Sequence, residues 1–427
     1  MVHKERVRLV FIGLLVFLIA FGGVIIGCQP PATKPAQPTT TTPVQKPVSK
    51  YNVAVYLDYT GPYAEIAADQ EAAVKVAFSW WNNAKGVELG INLTPKFYDF
   101  RYDSSVASSQ HPGIISDIKP IAIMEDGIPY VLAIMKQVEI DKVPVIHLTG
   151  GYLFFNKPNG WIFAPLSAYV EHILSFMDWF AKAKETPKIA CKGFDNPEWR
   201  LIQAVVEKYS IDKGYKYLGT KLTENVVPDM TPSVQWAMGL NPNIVVQVES
   251  AFNTIVFAKA MHEAGAYGKF PMVYSLHQGL AEVGKVVGYE TIEGYYMVTP
   301  VDFLSRTGRG QKIWYENVGK YAPGVNFEAT SCRVFTNSLI LLQAVEKAAA
   351  KVGADKITGQ AMYDVLDAGS FDGMDLCGNV TMDPQDRLKG VSGAKVYQMV
   401  KGKITDVTGA GGWQPLPYYA TKWLYKK

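Results

Sequence analysis

Asn52-Val53-Ala54-Val55-Tyr56-Leu57 is followed, past Asp58, by Tyr59-Thr60-Gly61-Pro62-Tyr63-Ala64, from which the stretch Ala64 to Asn83 continues. The first run is β-branched and aromatic, as in a buried strand. The second carries turn residues. In the third, Ile66, Ala73, Val76, Ala77 and Trp80 recur at helical spacing. Strand, turn and helix in that order make the first half of a βαβ unit.

Outward from this unit the rhythm repeats. Strands are predicted at Asn92–Tyr98, Pro120–Met124 and Val143–Leu148, with a helix over Pro129–Glu139 announced by Asp126-Gly127-Ile128-Pro129. Beyond Trp161 come helix Ala168–Ala183, strand Lys188–Cys191, helix Glu198–Ser210, strands Lys216–Gly219 and Asn243–Val248, helix Asn253–Ala264 and strand Pro271–Ser275. Helices near Gly310–Tyr321, Ala329–Lys351 and Gly359–Leu366 follow. Val380–Met382 and Ala394–Val400, with a Lys401-Gly402 turn, read as short antiparallel strands. The fold class is therefore α/β, doubly wound, with parallel sheets covered on both faces by helices. A chain of 427 residues exceeds one ordinary core and accommodates two such lobes.

The amino terminus is of another kind. His3-Lys4-Glu5-Arg6-Val7-Arg8 precedes an apolar run from Leu9 to Gly27, the pattern of a secretory signal or of an uncleaved membrane helix. Ile25-Ile26-Gly27-Cys28 resembles the processing site of bacterial lipoproteins, which implies a signal peptide over 1–27, lipidation of Cys28 and an extracytoplasmic chain anchored to the cell membrane. Residues 28–50, with prolines at 30, 31, 35, 38, 43 and 47 and the tract Thr39-Thr40-Thr41-Thr42, have too little apolar surface to fold and read as an extended tether. The globular part is expected from Tyr51.

Composition excludes several functions. The net charge is only +3 and no Lys/Arg run in the globular part exceeds a pair, so nucleic-acid binding has no electrostatic basis. Apart from Cys28, Cys191, Cys332 and Cys377 show no metal-ligand spacing; a Cys332–Cys377 disulfide and three buried free thiols are both open. No nucleophile elbow, H-E-x-x-H, P-loop or dinucleotide-binding glycine motif occurs, so no enzyme, metal or cofactor is expected. Of the six histidines only His147 and His277 fall near the strand ends where ligands collect.

Tyr59-Thr60-Gly61-Pro62-Tyr63-Ala64 and the helix ending Trp80-Trp81-Asn82-Asn83-Ala84-Lys85-Gly86-Val87 resemble the opening of the leucine/isoleucine/valine-binding proteins, type I solute receptors of bacterial ABC importers. Phe257-Ala258-Lys259-Ala260-Met261-His262-Glu263-Ala264-Gly265, Phe371-Asp372-Gly373, Gly378-Asn379-Val380-Thr381-Met382-Asp383-Pro384 and Val396–Lys403 resemble later segments of that family. The resemblance covers nearly all of 51–408. It implies two lobes joined by three crossings, lobe 1 from 51–166 and 301–376, lobe 2 from 167–300 and 377–408, closing by a hinge on a small molecule. It also implies a monomer that serves a permease and an ATPase, or, in the alternative, a sensor or chemoreceptor component. The tail 409–427, rich in Trp, Tyr and Lys, either packs across a lobe or docks on a membrane partner.

In an open parallel sheet the ligand loops follow the carboxyl ends of strands, here 58–64, 124–129, 148–153, 192–199, 249–253 and 275–279. Tyr63 stands in the first. Thr149, Gly150 and Gly151 match the family's carboxylate-gripping loop, with a hydroxyl and closely approachable backbone amides. In the loop Glu125-Asp126-Gly127-Ile128 two acids stand where relatives have hydroxyls; Asp126, with Gly127, faces the ligand or Asp126 caps the next helix. Trp199 stacks on the ligand or packs at a helix start. Glu249, Ser250 and Phe252 follow another strand, Glu249 serving an ammonium or capping a helix. His277 and Gln278 occupy the position of the family's acid, which would favour an uncharged or carboxylate cargo, unless His277 is a loop histidine without contact. The expected cargo is a branched-chain amino acid by family default, or an amide, urea-like compound or aromatic carboxylate.

Overall fold

The computed structural model describes residues 48–149, 157–224, 226–249, 251–266, 268, 272–275 and 279–424. Cys28, Gly150, Gly151, Ser250, His277 and Gln278 lie outside them, as do the signal segment and nearly all of the tether.

The chain opens with β1 (Ser49–Leu57), α1 (Ala64–Trp81), α2 (Val87–Leu89), β2 (Ile91–Asp99), α3 (Ser104–Ile118), β3 (Ala122–Glu125), α4 (Ile128–Ile134), α5 (Gln137–Asp141), β4 (Val145–His147) and β5 (Ile162–Phe163). These strands form one parallel sheet in the order β2-β1-β3-β4-β5. Ser49 and Lys50, expected in the tether, already pair with Ile91 and Asn92. The turn after β1 is shaped by Asp58, whose carboxylate accepts the N–H groups of Gly61 at 2.6 Å and Tyr63 at 2.8 Å. A side chain at Gly61 would meet Asp58 Oδ1 at 2.4 Å and the Arg101 carbonyl at 2.7 Å, so only glycine fits there.

A second set follows: α6 (Tyr169–Ala183), β6 (Lys188–Phe194), α7 (Pro197–Lys213), β7 (Lys216–Thr223), α8 (Thr231–Leu240), β8 (Ile244–Val248), α9 (Ala251–Glu263), β9 (Met272–Ser275), α10 (Leu280–Val287) and β10 (Tyr296–Thr299). The chain then runs through α11 (Arg309–Tyr321), α12 (Ala329–Val352), α13 (Gly359–Leu366), β11 (Ser370–Phe371), β12 (Val380–Thr381), β13 (Gly393–Val400), β14 (Lys403–Asp406), β15 (Gln414–Pro415) and α14 (Tyr419–Leu424). The second sheet has the order β14-β13-β10-β9-β8-β6-β7, parallel from β10 to β7 and antiparallel at β13 and β14, with β15 added on β13. Helices α11 and α12 return to pack on α1, beside the first sheet. Val380–Thr381, expected as a short antiparallel strand, pairs antiparallel with Ser370–Phe371.

Other departures have local causes. The first helix continues as a π-helical turn over Asn82–Gly86, which carries the Asn82 carboxamide onto β2, where it donates to the Leu93 carbonyl at 2.8 Å and accepts the Leu93 N–H at 2.9 Å. Ser104–Ile118 contains Ser-Ser pairs and Pro112, which argue for a loop, yet it is helical. Asp103 caps it through Ser105 and Val106 N–H, and Ala107, His111 and Ile114 bury one face. The segment expected as a single helix over 129–139 divides into α4 and α5.

Between β5 and α6 the chain passes through Ser167, whose backbone is left-handed at φ 65° and whose hydroxyl donates to the Val391 carbonyl at 3.0 Å while accepting the Gly390 N–H at 3.1 Å. Two connecting segments, 163–168 and 387–391, are thus tied side by side. The carboxyl-terminal tail lies on the protein at the same place. Glu171 of α6, buried, accepts the N–H groups of Tyr419 at 2.9 Å and Ala420 at 2.6 Å, and the Tyr418 hydroxyl meets Ser167 Oγ at 3.0 Å. Burial pushes the Glu171 carboxyl up to about 7, against the pull of those backbone donors. Deleting 411–427 strips a buried carboxylate of both partners, and an unfolding free energy lower by about 1–3 kcal/mol in urea titration is expected. An unchanged midpoint would mean that the tail only rests on the surface.

The thiols of Cys191, Cys332 and Cys377 are all free and buried; no Cys332–Cys377 bridge is formed. Burial raises the Cys191 thiol to about 12, which keeps it protonated and inert.

Candidate functional site: a cleft between the two sheets

Strand register creates the first polar cluster. Glu125 and His147 end neighbouring parallel strands and are register partners, so their side chains leave the same face together. His147 Nδ1 bonds Glu125 Oε1, His147 Nε2 meets Thr149 Oγ1 at 2.5 Å, and Gly127 N–H donates to Glu125 Oε2 at 2.9 Å, all fully buried. Burial raises the Glu125 carboxyl, with His147 opposing the shift. An imidazole protonated on Nδ1 donates to Glu125 and accepts the Thr149 hydroxyl's hydrogen bond on Nε2; the other tautomer reverses both roles.

Asp126 is not a helix cap: the residue at that position of α4 is Gly127, with no side-chain cap bond. The Asp126 carboxylate instead accepts from Gln70 of α1 and faces Arg333 Nη2 at 3.5 Å. Arg333, fully buried on α12, also donates to the Leu148 carbonyl at 2.7 Å, and Asn337 donates to the same oxygen at 3.1 Å. The loop entering Thr149 is therefore clamped from α12. Reading the chain by its strand ends misses Arg333. The available signal was a polar stripe inside an apolar helix: Thr330, Ser331, Arg333, Thr336, Asn337 and Ser338 are all buried.

Beside this cluster the Tyr63 and Tyr102 rings lie 4.7 Å apart, and both sit close enough to Tyr169 at the start of α6 to raise its phenol further, after burial and Glu198, to which its hydroxyl bonds. Residues that follow β1 and β2 thus meet residues that open α6 and α7, across the gap between the sheets.

On the far side Lys192 of β6 and Glu249 after β8 form a fully buried ion pair at 2.5 Å. Gln247 Nε2 donates to Glu249 at 2.8 Å and Thr223 Oγ1 at 3.2 Å. Burial lowers the Lys192 ammonium, and Glu249 pulls it back up. Glu249 thus spends its carboxylate on three neighbours in its own sheet, and caps no helix through any hydrogen bond described. Trp199 is 2% exposed, and a side chain at Gly193 would come within 2.9 Å of its ring. Phe252 stands 44% exposed on α9.

A further carboxylate went unread in the sequence. Glu282, in the first turn of α10, is partly exposed as a residue but has both carboxylate oxygens covered, beside Thr330 of α12 and Glu328, which precedes that helix. Glu328 takes Lys285 at 2.6 Å, and Asp69 of α1 stands near both. Among the described residues no group of three His, Cys, Asp or Glu is placed to hold a metal, and no helix is long and apolar enough to cross a membrane.

Two parallel α/β sheets whose strand ends meet across a shared gap define a bilobed binding fold. The chain belongs to the periplasmic binding protein family, whose model matches residues 50–403. No curated protein sequence matches it. Among solved structures, a branched-chain amino acid ABC transporter protein from Thermus thermophilus with bound valine is 17% identical, with TM-score 0.77 over 89% of this chain and 100% of that one. An ABC transporter substrate-binding protein from Aeropyrum pernix is 17% identical, with TM-score 0.74 over 87% and 97%. An ABC transporter solute-binding protein from R. palustris in complex with benzoate is 14% identical, with TM-score 0.71 over 86% and 97%.

Proposed function

We propose that this chain is the extracytoplasmic receptor of an ABC importer, anchored through lipid on Cys28, that closes two lobes on a small solute and hands it to a membrane permease. The observation that carries the reading is the meeting of Tyr63 and Tyr102, which follow strands of the first sheet, with Tyr169, which opens the helix α6 that packs on the second sheet, in a chain of the periplasmic binding protein family. The lobes are taken as 51–166 with 301–376 and 167–300 with 377–408. The cargo is a small, partly apolar solute: a branched-chain amino acid, an amide or urea-like compound, or an aromatic carboxylate. Structural neighbours that hold valine and benzoate support that range. Gly150, Gly151, Ser250, His277 and Gln278 are assigned to the same cleft with Tyr63, Asp126, Gly127, Thr149 and Phe252, and the receptor acts as a monomer without metal or cofactor.

Two measurements test this. Cells lacking the chain should lose uptake of one labelled solute of these classes and regain it with the wild-type gene; uptake that is indifferent to the chain for every class would refute the receptor role. Metabolic labelling with palmitate should mark the wild-type chain and not Cys28→Ala, and equal labelling of both would refute the anchor.

A further inference from the structure

Two of the connections between the halves of the fold run side by side: 164–168, from β5 to α6, and 382–392, from β12 to β13. Their backbones touch. Val391 N–H donates to the Pro165 carbonyl at 3.0 Å and Ala164 N–H to the Arg387 carbonyl at 3.3 Å, and a side chain at Gly390 would collide with the Pro165 carbonyl. Buried Arg387 holds one end of the second connection to the first half. Its Nε donates to the Gly160 carbonyl at 2.8 Å and its Nη1 to the Asp367 carbonyl at 3.0 Å, and it pairs with the Asp367 carboxylate.

The other end is held by the carboxyl-terminal tail. The Tyr418 hydroxyl bonds the Val391 carbonyl and Ser167 Oγ, one residue in each connection, and Leu416 N–H donates to the Ser392 carbonyl at 2.9 Å. Tyr418 and Ser167 both have left-handed backbones, at φ 47° and 65°. A tyrosine in that conformation is strained, and such strain persists only where the surroundings fix it. The tail stands on the second half: Glu171 of α6 holds the start of α14, the Tyr419 ring lies 4.9 Å from that of Tyr209 on α7, and the Tyr419 hydroxyl bonds Asp212. From there Thr421 reaches Asp386 at 3.4 Å, next to Arg387. The tail thus meets the second connection on both sides of Leu388-Lys389-Gly390. It lies beyond residues 50–403, the part of the chain that its family shares.

We propose that the tail is a clasp across the hinge: it fixes both connections to the second half at Ser167 and Val391, leaves Pro165 and Leu166 with Leu388 to Gly390 as the pivot, and restrains the parting of the halves. The proposal rests on the receptor reading and adds a control to it. Hinges are a few residues that absorb a change of backbone angles. Loss of the clasp frees more of each connection, so the halves part more readily.

Hydrogen exchange read by mass spectrometry on the full chain, with no cargo added, tests this. Tyr418→Phe removes one hydroxyl and keeps the ring. It should speed exchange about fivefold in 163–170 and 387–393, and also in 58–64 and 100–104, which hold Tyr63 and Tyr102 on the half opposite the tail. Tyr217→Phe, which removes a hydroxyl bonded to Thr220 on edge strand β7, should leave 58–64 and 100–104 unchanged. Faster exchange confined to 163–170 and 387–393, or an equal rise at 58–64 and 100–104 in both variants, would overturn the clasp. Valine or benzoate at millimolar concentration tests the receptor reading separately, as slower exchange at 58–64 and 100–104 in the wild type. Slowing by either solute with an indifferent Tyr418→Phe overturns the clasp and leaves the receptor reading standing; the Tyr418→Phe effect without any slowing supports the clasp and counts against those cargoes.

Discussion

Replacing Lys192 by methionine is expected to lower the unfolding free energy by about 3–5 kcal/mol, the range for removing one partner of a buried ion pair. Lys192 and Glu249 are both fully buried, and the substitution leaves Glu249 with only Gln247 and Thr223. Methionine is close in length and fills the space over the Phe257 ring, where the ammonium now lies 4.8 Å from the centroid, so the loss reports charge rather than a cavity. Adding Glu249→Gln removes the stranded charge and should recover most of the loss, because a neutral replacement for a buried pair is often tolerated. Urea denaturation of the wild type, the single variant and the double variant reads both effects. A loss below about 1 kcal/mol for Lys192→Met would mean the pair is hydrated, and the described geometry at the end of β6 and β8 would be wrong.

Glu282 gives the second large effect, and it depends on pH. Burial, then repulsion by Glu328, raises its carboxyl from 4.5 to about 7, while its own backbone N–H, Thr330 and Lys285 pull the other way. The groups that face it are Thr330 of α12, Glu328, which precedes that helix, and Lys285 of its own helix, with Asp69 of α1 beyond Lys285. The folded protein therefore binds a proton between pH 4.5 and about 7 that the unfolded chain has released. Stability linked to this group is fully present below 4.5 and is lost as pH rises through about 7. The shift is worth about 3 kcal/mol at pH 8. Glu282→Gln, which is neutral at every pH, should match the wild type near pH 4.5 and exceed it by roughly that amount at pH 8. Parallel stability curves for the two proteins would show that Glu282 is solvated.

The alternation of short apolar strands and longer amphipathic helices made the α/β architecture legible, because strands buried on both faces are nearly continuous apolar runs, as Val53-Ala54-Val55-Tyr56-Leu57 is and as Ile244–Val248 is apart from Gln247. Ser104–Ile118 was not legible, since its serines and Pro112 oppose helix locally and only packing of His111 and Ile114 decides for it. Among the described residues the loops after β1, β3 and β4 begin where expected, while β6 runs on to Phe194; the partners of the loop side chains were not legible. Glu125 meets His147 through register, Asp126 meets Gln70 and Arg333 through packing of α1 and α12, and Glu249 meets Lys192 from a strand 57 positions earlier. Asp126 and Glu249 read from the sequence as meeting a ligand or capping a helix, and all three acids bond neighbours that no local pattern announces.

What these pairings leave for a cargo is a cleft whose strand-end charges are largely balanced internally and whose open walls are aromatic and apolar. The most direct test is a thermal-shift titration of the full chain against branched-chain amino acids, simple amides, urea and aromatic carboxylates. A receptor of this design predicts that one class raises the melting temperature in a saturable way, with about 2.7 kcal/mol of added stability at a hundred times the dissociation constant. A folded chain whose melting temperature none of these solutes moves at millimolar concentration would contradict the account.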